Sequence, residues 1–221
     1  MTRDLTIHRR EPASGATKSV VVFLHGYGAD GRDLLGLADP LSPHMPDTLF
    51  VAPDAPDRST ANPMGFQWSP IPFIDGSSEA EASAAMIRSI ADVDAFLDAL
   101  IDEEGIAPAQ LVLFGFSQGT MMSLHIAPRR VEPVAAVVAF SGRLLVPDTL
   151  EAEAVSKPPV LLIHGDADDV VPFAEMSVAG EALTKAGFET YAHVMRGTGH
   201  GIAPDGLSVA LGFMRDKLGI T

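Results

Sequence analysis

Cysteine is missing from all 221 residues of the chain. Disulfides, thiolate metal sites and a cysteine nucleophile are thereby excluded, and the redox compartment is left unmarked. Positive charge is scarce: 15 Lys and Arg stand against 29 Asp and Glu, a formal net charge of -14. A surface of that sign repels phosphate, so neither nucleic acid nor an anionic membrane is an expected partner, and solubility alone accounts for the charge. Long apolar runs are missing too. None approaches a membrane span, which argues against stable membrane insertion. Met1 to Gly15 is polar and mixed in charge, without the apolar stretch of a secretory signal, so a cytoplasmic protein is expected. No repeat and no low-complexity tract interrupts the sequence. Hydrophobic residues at 47% and charged ones at 20% describe an ordinary globular protein. The length suits one domain over residues 1–221 built around one core.

What the chain has is a pentapeptide, Gly115-Phe116-Ser117-Gln118-Gly119, between the apolar run Leu111 to Phe114 and a segment, Thr120 to Ala127, that reads as helix. A serine on such a strand-to-helix turn is held in strained geometry with its Oγ raised above the sheet, provided that both flanks lack side chains. It also stands at a helix N-terminus, where free N–H groups favour a developing anion.

The remaining segments build a sheet around this turn. Leu5 to Arg10 reads as a short edge strand. Val20 to Leu24 is a continuous β-branched run, the mark of a strand buried on both faces. Strands are expected again at Thr48 to Val51, Val134 to Phe140, Val160 to Ile163 and Tyr191 to Met195. Between them lie helical patterns: a weak one over Ala29 to Leu41, the longest from a capping box at Ser78-Glu79-Ala80-Glu81 to Gly105, then Phe173 to Ala186 and Leu207 to Lys217. Pro53 to Gly76, with five prolines, is expected to be irregular. Its aromatics either pack on the core or line a pocket, so Trp68 and Phe66 are the pocket candidates. The alternation predicts an α/β protein, a mostly parallel sheet covered on both faces, with its site at the carboxyl ends of the strands.

The chemistry-bearing residues fall in those loops. A serine nucleophile needs a base, an acid that orients it, and preset donors for the oxyanion. His200, in a glycine-rich loop after the last strand, is the expected base. His193 falls in a strand and His125 in a helix, while His8, His44 and His164 have no comparable setting. Asp166, Asp168 and Asp169 share one strand-end loop, and spacing leaves all three open as the acid. For the oxyanion, one donor is the N–H of Gln118 and the other comes from His25-Gly26-Tyr27-Gly28, with Tyr27 N–H as the candidate. His25 and Gly26 read as architecture.

With these pieces placed, the sequence resembles the phospholipase/carboxylesterase family of α/β-hydrolases, which includes acyl-protein thioesterases. The resemblance rests on Phe23 to Gly31, on the serine pentapeptide, on His164-Gly165-Asp166-Ala167-Asp168 with Val171-Pro172, and on Gly199-His200. It implies an α/β-hydrolase fold without a large lid, Asp168 as the acid with Asp169 next in line, and no metal or cofactor. It also implies a small-molecule acyl ester as substrate and, often, a homodimer. The chain departs from the family pattern at Ser69-Pro70, so no substrate preference carries over. The expected activity is that of a serine carboxylester hydrolase acting on short- to medium-chain esters through an acyl-enzyme, by Ser117, His200 and Asp168. The alternatives are an acyl-protein thioesterase or lysophospholipase with the same triad, or a non-catalytic binding protein on this fold. An imidazole base predicts activity that rises with pH through the histidine range.

Overall fold

The computed structural model describes residues 2–221. Strand β1 (Ile7–Arg10) leads to β2 (Ser19–Leu24), whose six residues are all buried, as a β-branched run between two layers of helix requires. Two short helices, α1 (Gly31–Leu35) and α2 (Ala38–Leu41), then deliver the chain to β3 (Thr48–Pro53). The proline-rich segment that follows is more ordered than its composition predicts. It forms a two-residue ladder between β4 (Asp57–Arg58) and β5 (Phe66–Gln67), and one turn of helix, α3 (Pro72–Asp75).

Helix α4 (Glu79–Glu104) is the longest at 26 residues. Ser78 Oγ accepts from Glu81 N–H while the Glu81 carboxylate accepts from Ser78 N–H, so the expected capping box is formed. Gly105, at φ 62°, ends the helix in the left-handed region that glycine adopts without strain. The rest alternates: β6 (Leu111–Phe116), α5 (Gln118–Ile126), β7 (Ala136–Phe140), α6 (Leu150–Glu153), β8 (Val160–Gly165), α7 (Ala174–Lys185), β9 (Thr190–Met195) and α8 (Pro204–Lys217).

The main sheet has seven strands in the order β1-β3-β2-β6-β7-β8-β9, parallel except for β1. Side chains alternate across it, so Val20, Val22 and Leu24 of β2 belong to the cluster on one face that also holds Val93 and Leu97 of α4, Met122 of α5 and Leu183 of α7. Val21 and Phe23 belong to the cluster on the other face, with Leu34 of α1, Leu41 of α2 and Met214 of α8. The second face is rich in phenylalanine: Phe23 stacks on Phe50 with centroids 5.9 Å apart and meets Phe114 edge-on at 5.0 Å. Each such side chain contributes on the order of 2–3 kcal/mol by leaving water.

Register decides where the site forms. Leu24 aligns with Gly115, Phe116 with Phe140, and Gly165 with Met195, so the carboxyl ends of five adjacent strands finish at one level. The loops after β2, β6, β7, β8 and β9 open from that rim. No helix among the described residues is long and apolar enough to cross a membrane.

Candidate active site

Ser117 sits at φ 54° and ψ -115°, outside the regions a serine adopts freely, between the end of β6 and the start of α5. Its N–H donates to Phe140 O at 2.9 Å and its carbonyl accepts from Met121 N–H at 3.2 Å, which fixes the turn from both sides. The flanking glycines are a steric necessity. A Cβ on Gly119 would lie 1.8 Å from Leu24 O, and one on Gly115 would lie 2.5 Å from the backbone of Thr120. Hydrogen at position 119 lets the turn approach β2, and hydrogen at position 115 lets the start of α5 close on the end of β6.

His200 reaches the turn from the loop after β9. Its Nε2 is 2.9 Å from Ser117 Oγ and its Nδ1 is 2.8 Å from Asp168 Oδ2. With a carboxylate at Nδ1, that nitrogen carries the proton and Nε2 is left to accept from the serine hydroxyl. Phe116 flanks the imidazole, with ring centroids 5.0 Å apart. The loop is held by its neighbour: Asp166 Oδ1 accepts from Gly197 N–H at 2.6 Å, and Ala167 N–H donates to Thr198 O at 3.0 Å. Gly165 makes room for this, since a Cβ there would meet Thr198 O at 2.2 Å.

Of the three aspartates that spacing left open, Asp168 is the one brought to His200. Asp166 and Asp169 are exposed. Asp168 Oδ1 accepts from the N–H groups of Val170 and Val171, each at 2.9 Å, which turns its second oxygen toward the imidazole. Burial pushes the Asp168 carboxyl up, but the donors on His200, Val171 and Val170 outweigh it and hold the group below its ordinary value.

His164, for which the sequence indicated no special setting, is a buried neighbour of this acid. Its Nε2 donates to Val171 O at 2.9 Å and lies 3.2 Å from Asp168 Oδ2, closing a ring of contacts around the acid loop. The available signal was its place as the last but one residue of a fully buried strand, directly before the aspartates. His193 pairs with Asp205 at 2.8 Å and His125 is half-buried in α5, so neither enters the site.

The loop after β2 lies against the serine turn. A Cβ on Gly26 would come within 3.3 Å of Ser117 Cβ. His25 is fully buried, with Nε2 accepting from Ala55 N–H at 2.9 Å and Nδ1 donating to Gly26 O at 2.7 Å. Burial pushes the His25 ring toward its neutral form, the form these two bonds require. In a planar trans peptide the C=O and N–H point in opposite directions, so holding Gly26 O directs the N–H of Tyr27 away from the His25 ring. Among the described residues, the N–H groups of Tyr27 and Gln118 have no hydrogen-bond partner.

The segment between β3 and α4 is ordered because it pairs with this loop. Gly28 N–H donates to Phe66 O and Phe66 N–H to Ala29 O, both at 2.8 Å, and Asn62 Nδ2 donates to Gly28 O at 2.7 Å. Tyr27 Oη is 3.0 Å from Thr60 Oγ1 and 3.5 Å from Asp75 Oδ2. Slight burial raises the Asp75 carboxyl, yet hydrogen bonds from Ser77, Ile71 and Thr60 bring it down to about 2.

Of the two pocket candidates, Trp68 is corrected by its burial. Trp68 is fully buried and packs in the core, so it lines no open pocket. Its ring lies 5.3 Å from that of His25, centroid to centroid, in the core cluster that includes Val93 and Leu97 of α4. Phe66 is half-buried, packs against the same core and carries the Arg58 guanidinium 4.2 Å from its ring centroid. Among the described residues no group of three or more His, Asp or Glu side chains is arranged to hold a metal ion.

Residues 7–218 match the model of a family described as Phospholipase/Carboxylesterase. The chain is similar to acyl-protein thioesterase 1 of Gibberella zeae, at 26% identity over 94% of both chains. It is similar to Esterase YpfH of Escherichia coli at 28% identity, over 90% of this chain and 82% of that one. Among solved structures it is similar to that of esterase PE8, at 45% identity and a TM-score of 0.92, covering 98% of this chain and 100% of that one.

Proposed function

The chain belongs to the phospholipase/carboxylesterase family of α/β-hydrolases, and from that membership we propose that it is a serine carboxylester hydrolase working through an acyl-enzyme on short- to medium-chain acyl esters. One observation carries the reading: the continuous hydrogen-bonded path from Ser117 Oγ to His200 at 2.9 Å and from His200 to Asp168 at 2.8 Å.

In this mechanism His200 Nε2 takes the hydroxyl proton as Ser117 Oγ attacks the ester carbonyl. Asp168 holds Nδ1–H and stabilises the imidazolium that forms. The carbonyl oxygen becomes an anion and accepts hydrogen bonds from the N–H groups of Tyr27 and Gln118. His200 returns its proton to the leaving alcohol as the C–O bond breaks, and water then repeats both steps, releasing the acid and free Ser117. Substrate enters at the rim where the loops after β2, β6, β8 and β9 meet.

A fluorophosphonate probe tests the reading directly. It is expected to label Ser117 in wild-type protein and to lose the label in Ser117→Ala, and hydrolysis of p-nitrophenyl butyrate is expected to disappear with it. Folded wild-type protein that takes no label sinks the proposal. Relatives named acyl-protein thioesterase support a second reading with the same residues and a thiol as leaving group. Comparing kcat/KM for p-nitrophenyl butyrate and a palmitoyl thioester separates the two.

A further inference from the structure

Trp68 and Gln118 form a buried link between the two N–H groups assigned to the oxyanion. Gln118 Oε1 accepts from the backbone N–H of Trp68 at 2.9 Å. Its Nε2 donates to the carbonyl of Ser69 at 2.9 Å and to the Ser69 hydroxyl at 3.1 Å. From the other side of Trp68, the indole Nε1–H donates to His25 O at 2.8 Å. Every residue in the chain of contacts is buried, so each bond forms without competition from water and each broken one leaves an unpaired polar group.

The carbonyl of His25 lies one peptide unit before the unit that carries Tyr27 N–H. The next carbonyl, Gly26 O, is held by the His25 ring at 2.7 Å. Two successive planar peptides are thus anchored by their oxygens, which leaves their N–H groups little freedom of direction. The imidazole bond is local to the loop. The indole bond ties that loop to Gln118, whose own backbone N–H is the second donor.

We propose that Trp68 is a positioning residue for the reaction: clasped by the Gln118 carboxamide, its indole N–H sets the Tyr27 N–H at a fixed spacing from the Gln118 N–H, so that one oxyanion can accept from both. The proposal rests on the reading of Ser117 as nucleophile. Spacing matters because such donors accelerate a reaction only when they are aimed beforehand at the place where charge develops.

Trp68→Phe keeps an aromatic ring, although a smaller one, and removes the donor. The informative measurement compares kcat/KM for an ester with that for its thionoester, in which sulfur, a larger and weaker acceptor, replaces the carbonyl oxygen. In Trp68→Phe, kcat on the ester is expected to fall by about tenfold or more with KM moved less than about twofold, and the ester-to-thionoester ratio to fall by a similar factor. Gln118→Met, which keeps its backbone N–H but loses the carboxamide, is expected to move the ratio the same way. The double variant is expected to lose no more than the worse single one, because both interrupt one path. Ser78→Ala, at the remote cap of α4, is expected to lower the melting temperature and leave the ratio alone. If both Trp68→Phe and Gln118→Met lower the melting temperature without changing the ratio, Trp68 is packing only and the proposal is overturned. If Trp68→Phe does not fold, Gln118→Met alone decides by the same ratio. Fluorophosphonate labelling keeps the two claims apart: labelled variants with an unchanged ratio overturn this inference alone, whereas unlabelled wild-type protein removes the function beneath it.

Discussion

Asp168 Oδ2 lies 2.8 Å from His200 Nδ1, while Asp169, the next residue and the same kind of side chain, is exposed to solvent. Asp168→Asn preserves shape but replaces the carboxylate that selects the tautomer of His200. A fall in kcat of about 10⁴-fold is expected. Asp169→Asn is expected to stay within about twofold of wild type, since it removes only a solvated charge. Steady-state hydrolysis of p-nitrophenyl butyrate by the two variants makes the comparison. Equal losses would show that the acid loop rearranges in solution.

Gly119→Ala asks for room that the fold does not have. The added carbon would lie 1.8 Å from Leu24 O, and both atoms are set by backbone, so the serine turn must separate from β2. Overpacking of this kind costs about 1–3 kcal/mol or more. A lower melting temperature is expected together with loss of activity, because the displaced residues flank both proposed oxyanion donors. Wild-type melting in this variant would contradict the close approach.

His164→Leu removes the donor to Val171 O beside the acid loop. A buried carbonyl left without its partner costs about 1–3 kcal/mol. A lower urea midpoint with unchanged m-value is the expected result, and an unchanged midpoint would mean that the carbonyl finds another donor.

Acid is expected to destabilise the fold in two windows with the same sign. Burial holds His25 below its ordinary pKa of 6.5, so between that value and the folded one the unfolded chain binds more protons, and stability is lost as pH falls below 6.5. His125, lowered by burial and by Arg129, acts in the same sense. For Asp168, burial raises the pKa but hydrogen bonds, led by that from His200, bring it below 3.8. Its contribution is present above that value and is lost as pH falls through the folded pKa. One fewer titrating group removes at most about 1.4 kcal/mol per pH unit from the slope. Urea unfolding at pH 7.5, 6.5 and 5.5 should therefore show a shallower decline in His25→Gln than in wild type. Parallel slopes would show that His25 binds protons equally in the folded and the unfolded chain.

Much of this arrangement was legible because the relevant forces act over a few residues. Val20 to Leu24 reads as a doubly buried strand from its own side chains, and the Ser78 to Glu81 box and Gly105 mark both ends of α4 by local hydrogen bonding and local backbone freedom. Gly115 and Gly119 announce the turn between them. The segment from Pro53 to Gly76 was not legible, since its order comes from hydrogen bonds to Gly28 and Ala29, which lie far from it along the chain. Trp68 illustrates the same limit: an aromatic in a proline-rich stretch fits a pocket or a core equally well until the packing decides.

The sequence by itself determined the alternation of strand and helix, the strained serine turn and the set of loops that carry reactive groups, because periodicity, glycine and capping chemistry are written in neighbouring residues. Spacing left the acid open and only the family resemblance implied Asp168; the tertiary structure alone decided that His164 stands behind it and that Trp68 holds the Tyr27 loop. Those outcomes depend on the register of five parallel strands and on backbone N–H groups from distant segments, and a hydrogen bond between residues 32 or 43 positions apart leaves no periodic trace in either partner.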